Sequence, residues 1–233
     1  LETLADRIHE IRTRFEVLKR DVEINYWRGI AGGGDPGALG AIMQDALLAL
    51  DDDFAFVAAC NIGGEALPEG AEDRLRQIAT RTWRRTLDDR LGISQLEKQR
   101  KERLPAPDLP VIEPVIADRE DHRIDHQGSG PLPVDIKIAV PRYRLDLGEL
   151  HCLSVKRGTL TAEERFLINH HIVQTIIMLR GLPFPDYLKA VTDMAGNHHE
   201  HLDGSGYPRG LIASELSLEA RMMAIADIFE ALT

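Results

Sequence analysis

Nine histidines and two cysteines stand in this chain of 233 residues, so any metal chemistry it performs must rest on imidazole and carboxylate. Four of the histidines fall in the last third as two adjacent pairs, His170-His171 and His198-His199, and Asp227 follows in the run Ala224-Ile225-Ala226-Asp227-Ile228-Phe229. That spacing is too wide for a motif on one helix. Imidazoles from two segments and a carboxylate from a third can share a divalent cation only where three helices turn their polar edges together, as in the metal sites of helical bundles. Adjacent residues on a helix point about 100° apart, so one ring of each pair is free to face inward. Ile168, Ile172 and Val173 place His171 nearer the buried edge, with His170 facing outward. Asp227, among small and apolar neighbours, is expected to be buried, and a buried carboxylate needs a cation or several donors. Taken singly, each histidine reads as a structural or surface residue; the combination points to a metal.

Directly after His198-His199-Glu200 comes Asp203-Gly204-Ser205-Gly206-Tyr207-Pro208-Arg209-Gly210. Its glycines permit positive φ and close approach to a ligand, Tyr207 offers a stacking face, and Arg209 carries a fork suited to phosphate oxygens. Gly206, Tyr207, Pro208 and Arg209 are therefore the candidate substrate contacts. Two further Asp-His pairs, Asp121-His122 and Asp125-His126, lie in proline-rich surroundings and read as solvated side chains.

Helices must position these groups. Thr161-Ala162-Glu163-Glu164 forms a capping box, and Phe166, Ile168, Ile172, Val173, Ile176, Ile177 and Leu179 make an apolar stripe behind it, which predicts a helix from Ala162 to Leu179. Pro183 and Pro185 end it and start the next, through Leu188, Val191 and Met194 to Gly196. Ser217 caps a last helix whose core stripe is Leu218, Met222, Ile225 and Phe229. Asp135 to Val140 comes nearest to a strand. At the other end, Leu1, Leu4, Ile8, Ile11, Phe15, Leu18 and Val22 form an a/d seam about three heptads long, equally suited to a coiled-coil homodimer or to a bundle helix packing on its own domain. Gly32 to Gly37 turns the chain into a second helix, Ala38 to Leu50, in a plain helix-helix turn. Asp51-Asp52-Asp53 reads as a solvated face, and Glu72 to Leu87 as a third helix. Seven of the 12 prolines, with the Gly128-Ser129-Gly130 turn, lie between Pro105 and Pro141. The expected organisation is an all-α chain: an N-terminal helical module over residues 1–92, a proline-rich linker or irregular arm over 93–141, and a helical domain over 142–233.

Composition excludes several classes of function. Asp and Glu number 38 against 28 Lys and Arg, a net charge of −10, which repels a nucleic-acid duplex. No apolar run reaches the roughly 18 residues of a membrane span, and no signal-peptide pattern opens the chain. A cytoplasmic protein without membrane contact is expected. Cys60 and Cys152, far apart and outside any CxxC, argue against a disulfide framework or a thiolate zinc site. The uncapped seam beginning at Leu1 reads as a segment of a larger protein, with a sensory domain upstream.

The run His198-His199-Glu200-His201-Leu202-Asp203-Gly204-Ser205-Gly206-Tyr207-Pro208, followed by Ala226-Asp227-Ile228-Phe229-Glu230-Ala231-Leu232-Thr233, resembles the HD-GYP family, bacterial phosphodiesterases of the HD superfamily. Arg157-Gly158-Thr159-Leu160-Thr161-Ala162-Glu163-Glu164 and His171 also match, so the resemblance covers Leu147 to Thr233. It implies an all-helical fold of HD-domain type, two or three metal ions, iron or manganese foremost, and hydrolysis of the cyclic dinucleotide cyclic di-GMP in signalling. On this resemblance His171, His198, His199 and Asp227 fall on metal-ligand positions, and Tyr207 and Pro208 on the GYP signature. The chain departs from the pattern in ways that matter: the family's earlier ligand helix has no identifiable counterpart, no His-Asp dipeptide occurs, and Arg142-Tyr143 stands where it is expected. Glu149, His151, His122 and His126 are the groups available to replace it. The departure motivates a second reading, a degenerate HD-GYP module that binds a nucleotide or a protein without turnover.

Overall fold

The heptad seam of the first helix is met by a second helix from the same chain. In the computed structural model, which describes residues 8–126 and 132–232, α1 (Ile8–Ala31) turns at Gly33, where φ is +85°, into α2 (Pro36–Ile62). Asp35 caps α2 through Ala38 N, and Pro36 occupies its first turn, where no amide hydrogen is needed. Ile11 and Phe15 are buried, and Ile8, Leu18 and Val22 pack against the same core as Leu50 and Val57 of α2. From Ile8 onward the seam is therefore that of a bundle helix. Leu1, Leu4, the Gly128-Ser129-Gly130 turn and Thr233 lie outside the described residues.

The chain divides into two compact units, 1–124 with 145–161, and 125–144 with 162–233. In the first, α3 (Ala71–Ala79) adds Leu75 and Ile78 to the core. It stops short of the Leu87 expected from the sequence. Residues 82–85 form β1 (Thr82–Arg85) instead, antiparallel to β2 (Val111–Pro114), with Trp83 opposite Glu113. Thr82 and Trp83 favour extended backbone, and a cross-strand partner 30 residues away outweighs a helical spacing read locally. Between the strands lies α4 (Gln95–Lys101), capped by Ser94.

The stretch expected to be a linker or irregular arm carries ion pairs in its first part. Arg85 holds both oxygens of Glu113 at 2.8 and 2.9 Å, and the buried Lys101 ammonium lies 2.6 Å from Asp89 and 3.1 Å from Asp121. These charges are paired, which composition alone does not reveal. His122, expected to be solvated, is buried; its Nδ1 accepts from Arg119 N and its carbonyl from Leu147 N. Two-residue strands β3 (Arg123–Ile124) and β4 (Leu145–Asp146) pair antiparallel, and α5 (Glu149–Leu153) follows. Asp51 and Asp53, rather than being purely solvated, pair with Lys19 and Arg81, both at 2.7 Å.

The second unit holds α6 (Ala162–Arg180), α7 (Val191–Gly196) and α8 (Leu218–Leu232). Its core is Ile172, Val173 and Ile176 of α6 with Ile136, flanked by Leu132, Ile138 and Tyr207. The other face of the expected α6 stripe, Ile168 and Ile177, is exposed. Residues 135–140 form no strand; Asp135 binds Arg180 in a two-armed pair, at 3.0 and 2.5 Å, and Lys137 N donates to Pro208 O. Ser217 Oγ caps α8 through Ala220 N. Leu218, Met222, Ile225 and Phe229, expected in the core, are 61–69% exposed, and Ala220 is the buried residue of α8. Periodicity shows which residues share a face; it does not supply the partner that covers it. With eight helices and two minute sheets among the described residues, the fold class is all-α. No helix among them is long and apolar enough to cross a membrane.

The Asp135–Arg180 pair gives the second unit an acid dependence. The Arg180 guanidinium holds the Asp135 carboxyl at about 2, below its ordinary 3.8. The depressed pKa means that the contribution is complete above pH 3.8 and is lost as pH falls toward 2. Denaturant unfolding of the wild-type chain and of Asp135→Asn, followed at the second unit, should give midpoints that differ at pH 5 and converge near pH 2.

Candidate metal centre and its loop

α6 carries His171 on its exposed side, with Nδ1 2.5 Å from the carbonyl of Ile168 one turn back. A carbonyl can only accept, so Nδ1 bears the proton and Nε2 presents a lone pair. His198 stands in the turn that ends α7 and is fixed likewise, Nδ1 to Ala195 O at 2.7 Å. Outer-shell hydrogen bonds of this kind set the tautomer and orientation of metal-binding imidazoles. Gly196 lets α7 seat against α6: a Cβ there would fall 2.7 Å from Ile176 Cγ1.

His171 Nε2 and His199 Nε2 come to 3.2 Å, and His171, His198 and His199 each offer a nitrogen within 4.8 Å of the other two. Burial, and then the neighbouring His198, lower the His199 pKa from 6.5 to about 4, so it is a neutral ring at neutral pH. Asp227 lies outside the three-nitrogen cluster, its Oδ2 3.8 Å from His199 Nδ1, and its side chain is 48% exposed. It faces the far nitrogen of His199, the place of an orienting carboxylate. The sequence expectation that Asp227 is buried is thus corrected, because the outer face of α8 is uncovered. The expected positions of His170 and His171 are also exchanged: His170 is half-buried against Phe166, with ring centroids 5.3 Å apart, while His171 is the exposed ring that meets His199.

The loop after the histidines folds back over them. Tyr207 N donates to His199 O at 3.1 Å, and the Tyr207 ring stacks on His199 at 4.8 Å and 21°. Burial raises the Tyr207 pKa, so its phenol keeps its proton. Pro208 is fully buried after a cis peptide bond, and Gly204 and Gly210 take positive φ where the loop closes on the Asp203–Ile212 bridge. A Cβ on Gly206 would lie 2.2 Å from His201 N and 2.4 Å from Glu200 Cα. Both neighbours are backbone and cannot yield cheaply. Gly206→Ala should therefore destabilise the second unit by about 1–3 kcal/mol, read as a lowered unfolding midpoint.

Arg209, expected to offer its fork to phosphate, is buried against protein partners: Nη1 donates to Asp193 at 3.0 Å and Asn197 at 2.9 Å, and Nε lies 3.0 Å from Asp135. Glu200, to which the sequence reading gave no role, is buried, and its carboxylate accepts from the backbone of Arg209, Gly210 and Leu211. The available signal was an acidic residue between the histidine pair and a glycine-rich loop. Of the groups named as replacements for the missing His-Asp pair, Glu149 is engaged by Arg14 in the first unit, and His126 bonds Pro141 O and sets its ring edge-on to Phe166.

Residues 130–233 match the family model described as HD domain. The chain is 43% identical over 94 residues to 3'3'-cGAMP-specific phosphodiesterase 1 of Vibrio cholerae serotype O1, covering 38% of this chain and 20% of the relative. It is 35% identical over 100 residues to the cyclic di-GMP phosphodiesterase response regulator RpfG of Xanthomonas campestris pv. campestris, covering 42% and 26%. With a cyclic di-GMP phosphodiesterase of Thermotoga maritima it shares 34% over 101 residues, covering 42% and 27%. The chain thus spans about a fifth to a quarter of the length of these relatives. No solved structure matches it. By its family match, its histidine pair and its Gly-Tyr-Pro loop, residues 130–233 belong to the HD domain family and are of the HD-GYP type.

Proposed function

We propose that the chain is the phosphohydrolase part of a signalling protein, hydrolysing a phosphodiester of a cyclic dinucleotide, cyclic di-GMP, with divalent metal ions, iron or manganese. The observation that carries this reading is the convergence of three imidazole nitrogens from two segments, two of them with the opposite nitrogen held protonated by a carbonyl. Such a donor set fits a divalent cation. His171, His198 and His199 would hold it, with Asp227 beside His199. When bound, a divalent ion supplies Lewis acidity toward the phosphodiester and lowers the pKa of water.

The chain's own residues do the rest. The carbonyls of Ile168 and Ala195 keep two imidazoles in the tautomer that leaves Nε2 as a donor atom. His199 stays uncharged because burial disfavours imidazolium. Tyr207 caps its ring and can donate its phenol proton to a substrate oxygen. The named activities of the relatives support a cyclic dinucleotide as substrate.

Protein loaded with manganese or iron under anaerobic conditions and incubated with cyclic di-GMP, and in parallel with 3'3'-cGAMP, is expected to yield linear product. The presence of Arg142-Tyr143 in place of a His-Asp pair favours one second reading, a nucleotide- or protein-binding relay without turnover. Tight binding of the dinucleotide with no product would select it. A cytoplasmic location and an upstream sensory domain complete the proposal; a homodimer through the first helix does not, because its seam from Ile8 onward is taken by α2.

A further inference from the structure

Glu200 sits between the candidate ligand His199 and the loop, and both of its oxygens accept from loop amides. It is 6% exposed. Oε1 accepts from Arg209 N at 2.6 Å and Gly210 N at 3.1 Å, and Oε2 from Leu211 N at 2.8 Å. A buried carboxylate is costly without donors, and three amides supply them. These amides belong to the three residues that follow Tyr207-Pro208. On the near side of Tyr207, Gly206 rests on the Glu200–His201 backbone with no space for a side chain, and Tyr207 N is held by His199 O. The loop is therefore fastened to residues 199–201 on both sides of Tyr207. The Arg209 guanidinium adds a brace to Asp193 in the first turn of α7 and to Asn197 at its end.

We propose that Glu200 is a positioning residue: its carboxylate, through the Arg209–Leu211 amides, fixes the Tyr207 ring on His199 and so sets where Tyr207 meets the nucleotide. The role toward substrate rests on the phosphodiesterase reading; the placing of Tyr207 does not. Glu200→Gln keeps the shape but turns an amide NH2 toward backbone N–H groups, setting donor against donor. Glu200→Asp keeps two accepting oxygens on a shorter arm.

The test uses the full chain loaded with manganese, with metal content, steady-state kinetics on cyclic di-GMP and histidine side-chain NMR of the metal-free protein. In Glu200→Gln, KM should rise about tenfold with kcat within about twofold, the pattern of lost uniform binding, and manganese content should be unchanged. The ring-current shift of the His199 protons should be lost, and lost equally in Tyr207→Leu. Glu200→Asp should recover part of both KM and shift. An unchanged His199 resonance in Glu200→Gln overturns the proposal, as does a fall in kcat and manganese together, which would put Glu200 at the metal. If the wild-type chain turns over no cyclic dinucleotide, the phosphodiesterase reading fails, and the His199 resonances alone decide whether Glu200 places Tyr207.

Discussion

Alanine at His199 is expected to strip the bound divalent ion and abolish turnover, whereas asparagine at Asp227 weakens both without abolishing either. His199 lies within hydrogen-bond distance of His171 and belongs to the three-nitrogen cluster, so its loss leaves two donors. Asp227 stands 3.8 Å from the other nitrogen of the same ring and is half in solvent. Loss of an orienting carboxylate lowers metal affinity or activity by about 10–100-fold, and loss of a ligand must exceed that. Elemental analysis after manganese loading, together with product formation, separates the two variants. Full metal retention in His199→Ala would remove His199 from the centre. Equal metal loss in both variants would make Asp227 a ligand in its own right, as the HD-GYP resemblance implies.

The largest effect on stability is expected at Glu149 in the first unit. Its carboxylate, 1% exposed, accepts from Arg14 Nη1 at 2.9 and 2.7 Å and from Ala117 N at 2.9 Å. Glu149→Ala removes one partner of a buried pair and leaves the Arg14 charge and the Ala117 amide short of an acceptor, a change that costs about 3–5 kcal/mol. Arg14 keeps its bond to Val115 O, which places the expectation at the lower end. Replacing both, Arg14→Met with Glu149→Leu, should restore much of the loss, since an apolar pair carries no desolvation cost. Unfolding by urea measures each. A double variant as unstable as Glu149→Ala would show that the pair's geometry, rather than charge burial, sets the stability.

α6 was legible because its cues agree: a capping box, a stripe at helical spacing, and a proline three residues after Arg180. The histidine cluster was legible in its members but not in their orientation. His171 faces His199 because Gly196 admits α7 close to Ile176, a contact across 20 positions that no local pattern contains. Arg209 shows the same limit in another form. Its type suits phosphate, but Asp135, Asp193 and Asn197 reach it first, and side-chain chemistry cannot say which of several anions an arginine meets. Helical spacing claims Trp83 and Thr82 locally because their strand partner lies beyond any local window. The exposed stripe of α8 shows the converse limit: a sound helical pattern does not guarantee burial.

The two units are interleaved in the covalent chain, which leaves the first after residue 124, returns to it at 145 and departs again after 161. No single cut can therefore yield both halves intact. A fragment beginning at Ala162 keeps the histidine pairs and the loop but forfeits Asp135, the salt partner of Arg180 and Arg209, along with Ile136, part of the core against which Tyr207 packs. Any contiguous segment that holds the second unit whole therefore carries residues 145–161 of the first with it. A transplant of the second unit should begin at Asp125, where that unit starts, rather than at residue 130, the first of the family match.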